Sequence, residues 1–183
     1  RQRQMCIRDS IHIDWGYSMK RTKLDDRVLP EYTRGEEIFN MVTHIVGGVF
    51  GIAVLVLCIV FGVLRHNNYG IASGIIYGIS MILLYTMSSI YHGLSPNTKS
   101  KKVFQIMDHC SIFVLIAGTY TPIVLCSIRP VDSFWAWMIF AVVWGCTVLG
   151  IIINAIDIES NEKFSMICYL AVSYTHLRAH ETT

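Results

Sequence analysis

Ser88 and His92 stand one helical turn apart at the close of an apolar stretch, and Asp108 with His109 opens the next. These functional groups suit zinc chemistry. An imidazole is a common zinc ligand, and a catalytic zinc takes three protein ligands while leaving one position for water, whose pKa falls toward ~7. A nearby carboxylate takes a proton from that water during attack on a carbonyl, and Asp108 is the candidate for this task. Ser88 is placed to orient the carboxylate. The matching reaction class is hydrolysis of an amide or an ester. One histidine is not a metal site, so the remaining ligands would come from His44 and His109 or from other helices. A further group, Glu37, Asn40 and His44, recurs at i, i+3 and i+7 and so shares one helix face.

The elements that must position these residues are membrane spans. The chain of 183 residues is 53% hydrophobic and 15% charged, with a mean hydropathy of +0.48. That is too apolar and too poor in charge for an ordinary soluble domain. Windows at about 37–64, 69–92, 103–128 and 134–154 are almost free of charge, and each approaches or exceeds the ~20 residues that a helix needs to cross a bilayer. Residues 163–171 look like the start of a fifth span. The continuous runs lack the alternation of an outer-membrane barrel, so the expected fold is an all-α polytopic bundle. A polar segment precedes the first span, which is therefore expected to insert as an anchor and stay. No CxxC pair occurs, and Cys58, Cys110, Cys126, Cys146 and Cys168 fall in apolar windows, where they are expected to be buried thiols.

Lys and Arg bias sets orientation. Lys20, Arg21, Lys23, Arg27 and Arg34 precede the first span, Lys99, Lys101 and Lys102 follow the second, and Lys163 follows the fourth. Arg65 and Arg129 alone lie on the other side. The segment 11–35 is thus expected to be cytoplasmic, and Glu37, Asn40, His44, Ser88, His92 and Asp108 fall together at the cytoplasmic leaflet. Ionisable groups inside spans are expensive and mark function by default. Thr33 and Glu36 fit a capping box for the first helix.

The two ends, 1–10 and 172–183, share no periodicity with what they flank and are expected to be non-native tails around a fragment. His176 and His180 have ligand spacing but lie in that polar tail, and they are not taken as ligands. His109 is expected to be a satisfied helix-end histidine. Gly70, Gly74 and Gly78, with Gly47 and Gly51, predict close helix contact within the bundle rather than a dimer face. Pro122 predicts a kink, with Thr119 or Tyr120 satisfying freed backbone groups. Tyr69, Trp135 and Trp137 predict interfacial anchors, and Asn154 with Asp157 the end of the fourth helix.

The segments "EEIFNMVTH", "SSIYH" and "MDHCSIFVLIAGTYTPIVL" resemble the haemolysin III family, the bacterial branch of the progestin and adiponectin receptor superfamily. The resemblance covers about Glu31 to Ala171. It implies seven spans, of which four are complete here and a fifth is begun, in a bacterial inner-membrane protein with a cytoplasmic N-terminus. It also implies a zinc held by His92 and by two histidines of an HxxxH in the seventh span, with water near Asp108. Glu37, Asn40 and His44 match the family's first-span motif as site-lining residues. With two of three ligands outside this chain, zinc binding by the chain as written is expected to be weak.

Three functions remain open, the second of them implied by the name of the family that the chain resembles. One is a zinc-dependent hydrolase of a lipid amide or ester; one is a pore-forming haemolysin; one is a receptor-like membrane regulator with a structural zinc. A pore calls for polarity along whole helices, whereas here it stops after about two turns, so the hydrolase is preferred. Membrane lipids are the expected partners, and nucleic acid is not.

Overall fold

The computed structural model describes residues 23–24, 27–96 and 98–156. The termini 1–22 and 157–183 lie outside the described residues, and with them the expected tails, the fifth span, Cys168, Asp157, His176 and His180. Four long helices run in order: α1 (Arg34–Leu64), α2 (Asn68–Gly93), α3 (Lys99–Pro122, continued as a π-helix over Ile123–Ile128) and α4 (Ser133–Ile156). All four are long and apolar enough to cross a membrane, and among the described residues there is no strand. In hydrocarbon a single segment that satisfies its own backbone must be helical, which is why the hydropathy pattern translates so directly.

Each helix begins on a residue whose side chain accepts from the first-turn amides. Thr33 and Glu36 close the expected capping box, with Thr33 N–H donating to Glu36 Oε2 at 2.8 Å. Asn67 Oδ1 accepts from Gly70 N–H at 2.9 Å, and Thr98 Oγ1 accepts from Lys101 N–H at 3.2 Å. Asp132 Oδ1 accepts from Phe134 N–H and Trp135 N–H. His66 turns the chain between α1 and α2 at φ 50°. The tight connections make α1, α2, α3 and α4 an antiparallel series, each packed on its neighbour in sequence.

Close approach of α1 and α2 depends on glycine. A Cβ at Gly74 would overlap the Cys58 side chain, and one at Gly78 would stand 2.6 Å from Leu55 Cβ. The glycine stripe is therefore an intrachain contact, as expected. On α3, Pro122 has no N–H to give to the carbonyl one turn back, and the helix widens after it: Arg129 N–H donates to Val124 O at 2.9 Å, an i to i−5 bond. The expected kink is thus a π-helical run. Thr119 donates to Leu115 O and Thr121 to Ala117 O within the same stretch.

Polarity is inverted relative to a soluble bundle. Ser73, Ser80, Thr121 and Thr147 are fully buried between helices and donate to backbone carbonyls, whereas Phe39, Phe50 and Phe61 on α1 are each at least 60% exposed. Large apolar side chains outside and small satisfied hydroxyls inside suit a lipid solvent. The cysteines differ from expectation for the same reason: Cys146 is exposed, and Cys58, Cys110 and Cys126 are only partly covered. Apolarity drives a thiol inward only when water lies outside. Trp135 and Trp137 are exposed, as interfacial anchors require. Tyr69 lies under the Arg129 guanidinium at 3.4 Å.

The fourth helix is described as far as Ile156, between Asn154 and Asp157, and Asn154 is buried with its amide toward Cys110 Sγ. Its terminal carbonyls are met by Arg27, whose Nη2 donates to Ala155 O at 3.0 Å and Ile156 O at 3.3 Å. The segment before α1 and the end of α4 therefore lie on one side of the bundle.

Candidate functional site

Antiparallel packing brings the start of α1, the end of α2 and the start of α3 to the same end of the bundle. Glu37 lies in the first turn of α1, where two acidic residues face the positive end of the helix dipole. His92 lies in the last turn of α2, where a basic ring is favoured. Glu37 Oε2 is 2.7 Å from His92 Nδ1, and Glu37 Oε1 is 2.7 Å from Lys101 Nζ on α3. Lys101 Nζ also donates to Leu94 O at 3.0 Å and lies 5.1 Å from the centroid of the Tyr91 ring. One carboxylate thus joins three helices.

Around His92 the rings of Tyr91, Tyr32 and His44 approach to 4.7, 5.6 and 5.9 Å between centroids. His44 Nδ1 is buried with no hydrogen-bond partner. His44 also lies within Coulombic reach of Asp108 and His92. Ser88 is buried one turn before His92, and Asp108 is half-buried on α3. A recess of about 480 Å³ opens beside this cluster, lined by Tyr32, Arg34, Glu37, Met41, His92 and Lys101 among others.

Of the residues singled out in the sequence, the structure brings Glu37, His44 and His92 together, with Asp108 near His44. Asn40 lines an adjoining recess with Gly35, Glu36, Phe39 and Tyr32, the last of which lines both. His109 turns its Nδ1 to Gln105 O, 2.8 Å away on its own helix, the satisfied arrangement expected of it.

Lys101 is the residue that sequence reasoning missed. With Lys99 and Lys102 it reads only as part of the basic segment after the second span, but α3 begins at Lys99 and takes all three into the helix. Lys101 is 2% exposed. The available signal was spacing: Lys101, Gln105 and Asp108 are i, i+4 and i+7, one helix face, and Gln105 is buried as well.

Zinc is the group that the family resemblance implies. His92 fits it, because the Glu37 carboxylate occupies Nδ1 and leaves Nε2 for a metal, the usual carboxylate–histidine–metal arrangement. His44 has a buried ring nitrogen without a hydrogen-bond partner, and its ring lies 5.9 Å from that of His92. Among the described residues no three His, Cys, Asp or Glu side chains close into a metal-binding group.

Four bilayer-length helices with lipid-facing apolar surfaces and a polar cluster at one end define a multi-pass α-helical membrane protein. Residues 32–179 match the family described as haemolysin-III related, and the chain belongs to that family. It is 35% identical over 144 residues to "Hemolysin-3" of Bacillus cereus, covering 76% of this chain and 62% of the relative. It is 34% identical over 143 residues to "Hemolysin-3 homolog" of Bacillus subtilis (strain 168), covering 78% of this chain and 65% of the relative. The chain thus spans a little under two thirds of the length of these relatives. No solved structure matches it.

Proposed function

We propose that this chain is part of a zinc-dependent hydrolase of a lipid amide or ester, embedded in the bacterial inner membrane with its site at the cytoplasmic leaflet. The observation that carries this is the Glu37–His92 hydrogen bond, which presents one imidazole nitrogen inside a bilayer-spanning bundle. The orientation is supported by the Lys and Arg bias around the spans. When bound, zinc supplies a Lewis acid for the carbonyl and lowers the pKa of water toward ~7. His92 is the ligand on this chain. Asp108 takes the proton of the attacking water and returns it to the leaving group, and Ser88 orients that carboxylate. His44 and Glu37 line the site around them, and Asn40 belongs to the wall of α1 beside it.

The test measures zinc content and lipid hydrolysis on the purified full-length protein that carries this chain, as wild type, His92→Ala and Asp108→Ala. His92→Ala is expected to lose zinc; Asp108→Ala is expected to keep zinc and lose about 10²-fold or more in hydrolysis. Zinc-loaded wild type without hydrolysis would favour a structural zinc in a receptor-like regulator, and unchanged hydrolysis in Asp108→Ala with zinc retained would remove Asp108 from the proton transfer.

A second reading is lysis of membranes, favoured by the name "Hemolysin-3" carried by both relatives. Release of a trapped dye from liposomes by the purified chain would support it, and intact liposomes would remove it.

A further inference from the structure

Arg129 follows the π-helical run of α3, at the end of the bundle away from His92. A guanidinium does not lose its proton, so its charge and its five donors need acceptors. Its Cζ lies 3.4 Å from the centroid of the Tyr69 ring, and its Nε is buried with no hydrogen-bond partner. Among the described residues Asp132 is the one acid at this end, and it is already engaged. Its Oδ1 accepts from Phe134 N–H at 3.0 Å and from Trp135 N–H at 3.1 Å. The Asn67 carbonyl oxygen is engaged too, by Gly70 N–H.

The direction of Arg129 is built into the fold. After Pro122 the helix widens, and the i to i−5 bond from Arg129 N–H to Val124 O turns the residue away from its α-helical direction. Such π-helical turns are frequent at functional sites. Tyr69, in the first turn of α2, covers one face of the guanidinium and limits its rotation. What remains on offer is the planar pair of terminal nitrogens, a fork that matches two oxygens of a phosphate. Beside it Val131 is 88% exposed, and Phe134 and Trp135 are exposed at the start of α4. Apolar and aromatic side chains around the fork place it at the headgroup level of the bilayer, where phosphodiesters lie.

We propose that Arg129, held against Tyr69, is a binding site for the phosphate of an anionic phospholipid, on the membrane face opposite the His92 cluster. An anionic lipid is favoured over a zwitterionic one because this end sets two arginines, Arg65 and Arg129, against one aspartate, which repels a headgroup ammonium. The site rests on neither zinc nor hydrolysis.

The experiment is native mass spectrometry on the full-length protein that carries this chain, delipidated in detergent. It is titrated with phosphatidylglycerol, with phosphatidylcholine and diacylglycerol of the same acyl chains, and with inorganic phosphate. Wild type is expected to retain phosphatidylglycerol in preference to all three. Arg129→Gln is expected to weaken that binding about 10-fold, the loss of a charge-assisted pair of hydrogen bonds. Tyr69→Leu keeps the charge but removes the stacked ring, and is expected to weaken binding about 3-fold. Arg65→Gln, which removes the other positive charge of this end, is expected to change binding less than Arg129→Gln does. Unchanged binding in Arg129→Gln or Tyr69→Leu with wild-type helix content overturns the proposal. Equal losses in Arg65→Gln and Arg129→Gln reduce the effect to surface charge and overturn it as well. Inorganic phosphate binding as tightly as the lipid overturns the lipid assignment, and equal retention of diacylglycerol removes the phosphate from it.

Discussion

Glu37 Oε2 and His92 Nδ1 lie 2.7 Å apart, tying the first turn of α1 to the last turn of α2. The His92 side chain is 8% exposed and that of Lys101 3%, so water does little to screen the Glu37 carboxylate from either. Breaking a buried pair leaves an uncompensated charge. Glu37→Gln is therefore expected to destabilise the bundle by about 3 kcal/mol in detergent unfolding. The double variant Glu37→Gln with Lys101→Met is expected to lose less than the sum of the two single changes, because each strands the other's partner. Strict additivity would mean that the two charges do not interact.

Gly74 and Gly145 give opposite outcomes for the same substitution. A Cβ at Gly74 meets the Cys58 side chain, whereas one at Gly145 meets nothing within 4 Å. Gly74→Ala is expected to cost about 1–3 kcal/mol by forcing α1 and α2 apart. Gly145→Ala, at an open position inside α4, is expected to gain about 0.5–1 kcal/mol from helix propensity. Equal effects in thermal unfolding would contradict the helix contact.

Arg27 meets the last carbonyls of α4, which has no basic residue in its own last turn. Arg27→Ala is expected to remove about 1 kcal/mol of helix-end stabilisation. Hydrogen exchange resolves it: the amides of the last turn of α4 should lose protection while those of α2 do not change. Uniform loss across all helices would show a global effect instead.

Trp135 and Trp137 open α4 with exposed rings at the level expected of the membrane interface. Their fluorescence is expected to be quenched most by lipids brominated near the headgroup. Deepest quenching from bromines at the chain ends would place this helix start in the bilayer centre and shift the register of α4.

How much of this was legible beforehand depends on whether the cause is local. The charge-free windows gave four helices because a lipid solvent leaves a single chain no other way to satisfy its backbone. Thr33 and Glu36 announced the start of α1 because a capping box is closed by residues three apart. The glycine spacing announced close packing, since only a missing Cβ permits it. Ser88, His92 and Asp108 were visible as polar residues at one end of their spans, a consequence of alternating topology.

Other features belong to the tertiary structure alone. Lys101 looked like one more loop lysine, and only the docking of α3 against α1 and α2 withdrew it from water and gave it Glu37. Asn40 shares a helical face with Glu37 and His44, and it lines a recess that adjoins theirs through Tyr32. The cysteines are apolar enough to be buried in water but not in lipid, where apolarity gives no inward drive, and packing set their exposure instead. Sequence determined the class of solvent, the helices and the polar ends, because these follow from short-range chemistry. Which side chains meet across the gap between helices was decided by the fold, since a 2.7 Å contact depends on the rotation and depth of two rigid rods that hydropathy does not encode.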